Sequence, residues 1–206
     1  MARPFLTDES RKALADAVHA CEAASSAELM VAVRDHSGSY LHADLIAGIL
    51  VGVASLAALL FSPWPFELIW FLVDPVLLGI LAGLATSRLP ALRRLLTPRA
   101  ARHQRVETGA GAAFVEKRLH STTGRTGILL YLSILEREAA VVADLGVAPL
   151  AVTDEWRQRV DALREVMRRG GDGTAAAEAI RAFAEVLAPA LVRSAEDVNE
   201  LPNEVC

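Results

Sequence analysis

The sequence predicts an α/β fold, α+β-like, with a small mixed sheet flanked by helices and an inserted two-helix transmembrane hairpin. Three patterns carry that expectation. Residues 128–134 (ILLYLSI) and Glu138–Ala143 are short apolar runs three residues apart, which reads as a β-hairpin whose first strand is covered on both faces. Apolar residues recur at helical spacing before and after that pair. Residues 45–61 and 68–86 are long apolar runs that carry a single acid, Asp74, between them.

The elements follow in order. Thr7 and Asp8 are N-cap types, and Leu14, Val18 and Cys21 then share one helical face, predicting an amphipathic helix to about Ala24. Ser25-Ser26 ends it. Residues 27–33 (AELMVAV) read as a buried strand, closed by Arg34 to Gly38. The two apolar runs are joined by Ser62-Pro63-Trp64-Pro65 and are each close to the ~20 residues that cross a bilayer. They predict a transmembrane hairpin, with both chain ends on one side. Asp74 before Pro75 reads as the cap of a segment kinked at the proline. It is also a functional candidate, as an acid inside the bilayer, and an ion carrier built on it would need several copies. Gly48, Gly52, Gly79 and Gly83 place small residues on one face of each span, for packing of the two spans or between protomers of a homo-oligomer.

Arg88, Arg93, Arg94, Arg99, Arg102 and Arg105 follow the second span with no acid before Glu107, whereas the turn carries only Glu67. By the positive-inside rule both termini are cytoplasmic and the turn faces out. The first residues hold no apolar core of a cleavable signal. From Pro98 a helix carries Val106, Ala110, Ala113 and Phe114 on one stripe, and Gly109 and Gly111 each weaken it by ~1 kcal/mol. It precedes the second strand, so strands one and two form a strand–crossover–strand unit. Thr153 caps a helix with Trp156, Val160, Leu163 and Met167 in line. Thr174 opens another with Ile180, Phe183, Leu187 and Leu191, ending near Pro189. The chain thus divides into residues 1–36 and 98–193, two parts of one α/β domain, a hairpin over 43–88, and an acidic tail over 194–206 that reads as disordered.

A net charge of −4 argues against nucleic acid as a partner; the lipid bilayer and other membrane proteins are the expected ones. Two distant cysteines, Cys21 and Cys206, form no thiolate metal site. No Walker loop, no G-x-G-x-x-G and no HExxH occurs, and the five histidines are scattered. The candidate chemistry rests on acids at strand ends: Glu28, Asp35, Glu136, Glu138 and Asp144. Glu28 and Asp144 are the candidate metal ligands, for calcium or magnesium, provided that they converge in space. The alternative makes Glu136 and Arg137 hairpin-tip residues in water and Asp144 a strand terminator. Residues 170–174 (GGDGT) precede a helix N-terminus and read either as a phosphate cradle or as a plain connector.

Residues 27–31 after a helix, Thr122 with residues 125–133 (RTGILLYLS), Glu136-Arg137 and residues 142–146 (VADLG) together resemble the signature of the TPM domain family. The resemblance covers Thr7 to Asp35 and Val106 to Leu191 and skips the hairpin. It implies a membrane-anchored α/β domain, with roles in membrane-protein maintenance, phosphatase activity or calcium binding. On that basis Glu28, Glu136, Arg137 and Asp144 are the site candidates. The first expectation is a binding, assembly or maintenance factor for membrane proteins. The rival is a membrane-tethered phosphatase in which Asp144 and Glu28 hold a cation or water and Arg137 steadies the phosphate.

Overall fold

The computed structural model describes residues 5–122 and 124–192; the acidic segment 194–206 lies outside the described residues. The chain divides into two compact units. One is built from Met1–Ser37 and His103–Cys206, the other from Gly38–Arg102.

The first unit is the α/β one. Helix α1 (Asp8–Ala24) starts at Thr7, whose side chain accepts the Ser10 N–H. Strand β1 (Glu28–Arg34) runs parallel to β2 (Gly127–Ser133), and β3 (Glu138–Ala143) returns antiparallel to β2, in the order β1-β2-β3. Each of the first two strands begins or ends within a residue or so of its apolar run. The loop of the hairpin is longer than the three residues Leu135 to Arg137, because Ile134 leaves the ladder and Arg137 N–H closes the turn on the Ile134 carbonyl.

Both faces of the sheet are covered, which is why β2 reads as an unbroken apolar run. One face presents Leu29, Val31, Val33, Ile128, Leu130 and Leu132 to α1, to α7 (Asp154–Arg169, which follows the one-turn α6, Ala148–Ala151) and to α8 (Gly173–Arg181). Trp156 of α7 meets Phe183 edge-on at 5.2 Å. The other face presents Met30, Ala32, Leu129 and Tyr131 to Val106, Ala110, Ala113 and Phe114, the predicted stripe of a helix over Arg99–Glu116 (called α5). Cys21 is buried, and burial pushes its thiol up to about 11, so it is inert at neutral pH.

The open edges of a three-stranded sheet would template further pairing. A charged side chain blocks each of them. On β1, the Leu29 N–H donates to Glu22 of α1 at 3.2 Å. On β3, Arg164 of α7 donates to the Ala139 carbonyl at 3.2 Å and to Glu107 of α5 at 3.1 Å. The polarity matches in both cases: a carboxylate takes an N–H, and a guanidinium serves a carbonyl.

Two expectations about helix starts need correction. Thr174 does not open α8; Asp172 does, its side chain accepting from Ala175 N–H, because a carboxylate caps at least as well as a hydroxyl. Gly173 lies in the first turn with Ser10 of α1 packed on it, so residues 170–174 act as a filled connector. This helix also divides: α9 (Ala184–Ala190) follows, with Pro189 in its last turn.

The second unit contains the two long apolar helices, α2 (Leu41–Leu60) and α3 (Leu68–Arg88), then a short α4 (Pro90–Leu96). Both are long and apolar enough to cross a membrane, and only 11% and 6% of their apolar windows are buried. Their packing follows the glycines. A side chain at Gly48 would meet the Gly79 carbonyl at 2.8 Å, one at Gly79 the Gly48 carbonyl at 2.9 Å, and one at Gly52 the Pro75 carbonyl at 2.9 Å. The small residues therefore serve the contact within the pair. Asp74 does not start a helix: α3 continues through Pro75 from Leu68 to Arg88. Pro75 lies beyond the first turn, so it removes one backbone bond without ending the helix. At the other end Arg93 grips Asp44 through both carboxylate oxygens, at 3.0 and 2.6 Å.

Candidate functional site

The four acid and base candidates of the α/β unit fall into two groups at opposite ends of the sheet. Register places Glu28, Gly127 and Asp144 in one row: Glu28 pairs with Gly127, whose carbonyl accepts the Asp144 N–H at 2.9 Å. Ser133, Glu136 and Arg137 lie at the far end of β2, six residue steps or about 20 Å away.

At the first end, Asp144 is gripped by Arg125. The guanidinium donates from Nε to Oδ2 at 3.0 Å and from an Nη to Oδ1 at 2.9 Å, and the Leu145 N–H adds a bond at 2.8 Å. The bonds from Arg125 hold the Asp144 carboxyl below the usual carboxylate range; burial opposes this and the Leu145 N–H assists it. The backbone is equally tight here. Gly146 N–H donates to the Arg125 carbonyl at 2.8 Å, and a side chain at Gly146 would stand 2.6 Å from the Gly124 carbonyl. Residues 124–127 and 144–146 are thus the two halves of a single corner.

Glu28 is buried on the same sheet face as Asp144 but two strands away, about 10 Å between backbones. Leu119, in a 3-10 turn over Leu119–Ser121, lies between them: its carbonyl stands 2.2 Å from where a Gly127 side chain would begin. Among the described residues no group of three or more His, Cys, Asp or Glu side chains is placed to hold a metal ion.

At the second end, Glu136 is not in water. It is 2% exposed, because the hairpin loop folds it back onto the strand that precedes it. Ser133 Oγ bonds Glu136 Oε2, and the Ser37 N–H donates to Oε1 at 2.8 Å. Ser37 Oγ lies 2.7 Å from Ser133 Oγ and 3.2 Å from the Tyr131 hydroxyl. This run of hydroxyls ends on a carboxylate and ties the loop after β1 to the hairpin. Ser133 gave the available signal, as a serine inside an apolar strand. Ser37, a loop residue, gave none.

Arg137 is exposed, in the left-handed region at φ 51°, with its guanidinium against Gly170 at the C-terminus of α7. A cation at that position complements the helix dipole. Arg137 and Asp144 therefore stand at opposite ends of the sheet, so one phosphate does not reach both. The arrangement fixes the two ends of β2 by charge-assisted bonds. In the helical pair Asp74 is partly exposed on α3, and Gly48, Gly52, Gly79 and Gly83 lie along the seam.

No protein-family model matches the chain, and no curated protein matches it. Among solved structures it is similar to the NMR structure of the BA42 protein from the psychrophilic bacterium Bizionia argentinensis. The two are 16% identical with a TM-score of 0.59, and the match covers 100% of this chain and 97% of that one. At that identity the likeness is one of fold.

Proposed function

We propose that the chain is a membrane-anchored, TPM-like α/β protein that binds membrane proteins or their assembly factors. The observation that carries this reading is the helical pair. Two helices of 20 and 21 residues pack on each other along a glycine seam and leave their large apolar side chains outward. A patch of that size is far beyond what a soluble surface carries. A bilayer covers it, and the α/β unit is then held at the membrane. The arginines after α3 favour a cytoplasmic side for both termini, at the bacterial inner membrane.

A binding role is favoured over catalysis by how the candidate acids are used. Asp144 and Glu136 are each committed to bonds that hold the fold. The test has two arms. Membranes carrying the full chain are washed with alkaline carbonate, and the chain stays in the pellet. Crosslinking in intact membranes then captures membrane proteins reproducibly, at a level that falls when α2 and α3 are replaced by an unrelated transmembrane hairpin. Release by carbonate overturns the anchor; capture unchanged by the replacement removes the hairpin from the binding role.

A further inference from the structure

We propose that Asp74 is the polar centre of a docking face on α3 for a transmembrane helix of another protein, one that presents a lysine, arginine or protonated histidine at the matching depth. The inference rests on the anchor reading above and deepens it by naming the site and the chemistry of its partner.

Asp74 lies six residues into α3, about 9 Å along the axis from Leu68. Among the described residues no hydrogen bond or ion pair reaches its carboxylate. Its neighbours one turn away, Trp70, Leu77 and Leu78, are exposed, as is Leu81 beyond them. The glycine seam with α2 runs through Pro75, Gly79 and Gly83, about 100° to 180° around the helix from Asp74. This face is therefore not the one used inside the hairpin. Pro75 adds a second acceptor: it has no N–H to give, so the Phe71 carbonyl loses its helical donor in the same turn. Two acceptors at one depth call for donors. In hydrocarbon a carboxylate is costly unless it is paired, and intramembrane acids face a protein partner or a wet cavity.

A second copy of this chain does not fit. Between residues 45 and 86 there is no lysine, arginine or histidine, and Glu67 and Asp74 are the ionisable groups. A second copy would bring another carboxyl to the same depth and no cation to pair with it. A helix with a cation supplies both the charge and the donors.

The full chain, labelled with a donor fluorophore, is reconstituted in phosphatidylcholine vesicles. Acceptor-labelled 21-residue leucine-rich transmembrane peptides are added, one with a lysine six residues from one end and one with leucine there. Energy transfer to the lysine peptide exceeds that to the leucine peptide, corresponding to an affinity about three- to thirtyfold higher. D74L reduces it to the leucine level and D74N, which keeps an acceptor but loses the charge, lowers it part of the way, while helicity and vesicle retention stay unchanged. Equal transfer to the two peptides by wild type, or full transfer by both variants, overturns the proposal. So does self-association of labelled copies that D74N abolishes. Failure of the wild type to remain with carbonate-washed vesicles instead removes the anchor reading itself. Retention without preference for the lysine peptide removes this inference alone.

Discussion

Replacing Glu136 with alanine severs the loop after β1 from the β2–β3 hairpin. The Glu136 side chain is 2% exposed and accepts from the Ser37 N–H at 2.8 Å and from the Ser133 hydroxyl, which is itself fully buried. Truncation leaves two donors without their acceptor, and each such loss costs about 1–3 kcal/mol. The expected destabilisation by Glu136→Ala is therefore about 2–6 kcal/mol. Glu136→Gln keeps one accepting oxygen but turns an amide donor toward the other, so it loses one bond, about 1–3 kcal/mol. The assay is denaturant unfolding of the full chain in detergent micelles, followed by Trp156 fluorescence with Trp64 and Trp70 replaced by phenylalanine. Trp156 sits in the core against Phe183 and reports on the α/β unit. A double-mutant cycle with Ser133→Ala gives a coupling of about 0.5–3 kcal/mol if the two share one bond. A Glu136→Ala variant within about 0.5 kcal/mol of wild type, the range of ordinary surface changes, refutes the buried-lock reading.

The other predictions concern the corner, α5 and the seam. The folded Asp144 carboxyl titrates below its unfolded value of ~3.9, so its contribution is complete above that value and is lost as pH falls through the folded pKa. The stability gap between wild type and Asp144→Asn should thus narrow as pH drops below about 4; a gap constant from pH 6 to pH 2 contradicts this. Gly111→Ala meets no atom within 4 Å and should stabilise α5 by about 0.5–1 kcal/mol. Gly109→Ala would bring a methyl to 2.8 Å from the Tyr131 hydroxyl and should destabilise; equal effects in thermal unfolding would sink the placement of α5 on the sheet. Gly48→Val forces α2 away from the Gly79 carbonyl, so a disulfide engineered across the seam should form more slowly in vesicles. An unchanged rate would mean that the helices do not meet there.

Much of this architecture was legible in the letters. The apolar stripe of α5, the caps at Thr7 and Thr153 and the burial of Trp156, Val160, Leu163 and Met167 follow from period and residue type alone. The glycines of the apolar runs announced the seam. What stayed illegible depended on pairing between distant segments. Nothing local shows that Arg125 reaches Asp144, nineteen positions on, or that Ser37 turns to meet Glu136 across ninety-nine. The break at Leu135-Glu136-Arg137, with two charged letters, suggested a solvated turn, yet the four-residue loop points Glu136 inward and leaves only Arg137 outside. Register also decided the site: the strand-end acids share a sheet but are divided between its two ends.

The central claim is that the hairpin crosses a bilayer while both flanking parts of the chain meet on one side of it. A membrane-impermeant maleimide tests it directly, in a Cys206→Ser background where buried Cys21 does not react. Glu9→Cys and Asp154→Cys, exposed positions before and after the hairpin, should label only once the inner membrane is opened, whereas Phe61→Cys at the turn should label in intact spheroplasts. Labelling of Glu9→Cys and Asp154→Cys from opposite sides, or of Phe61→Cys and Asp154→Cys from the same side, contradicts the account.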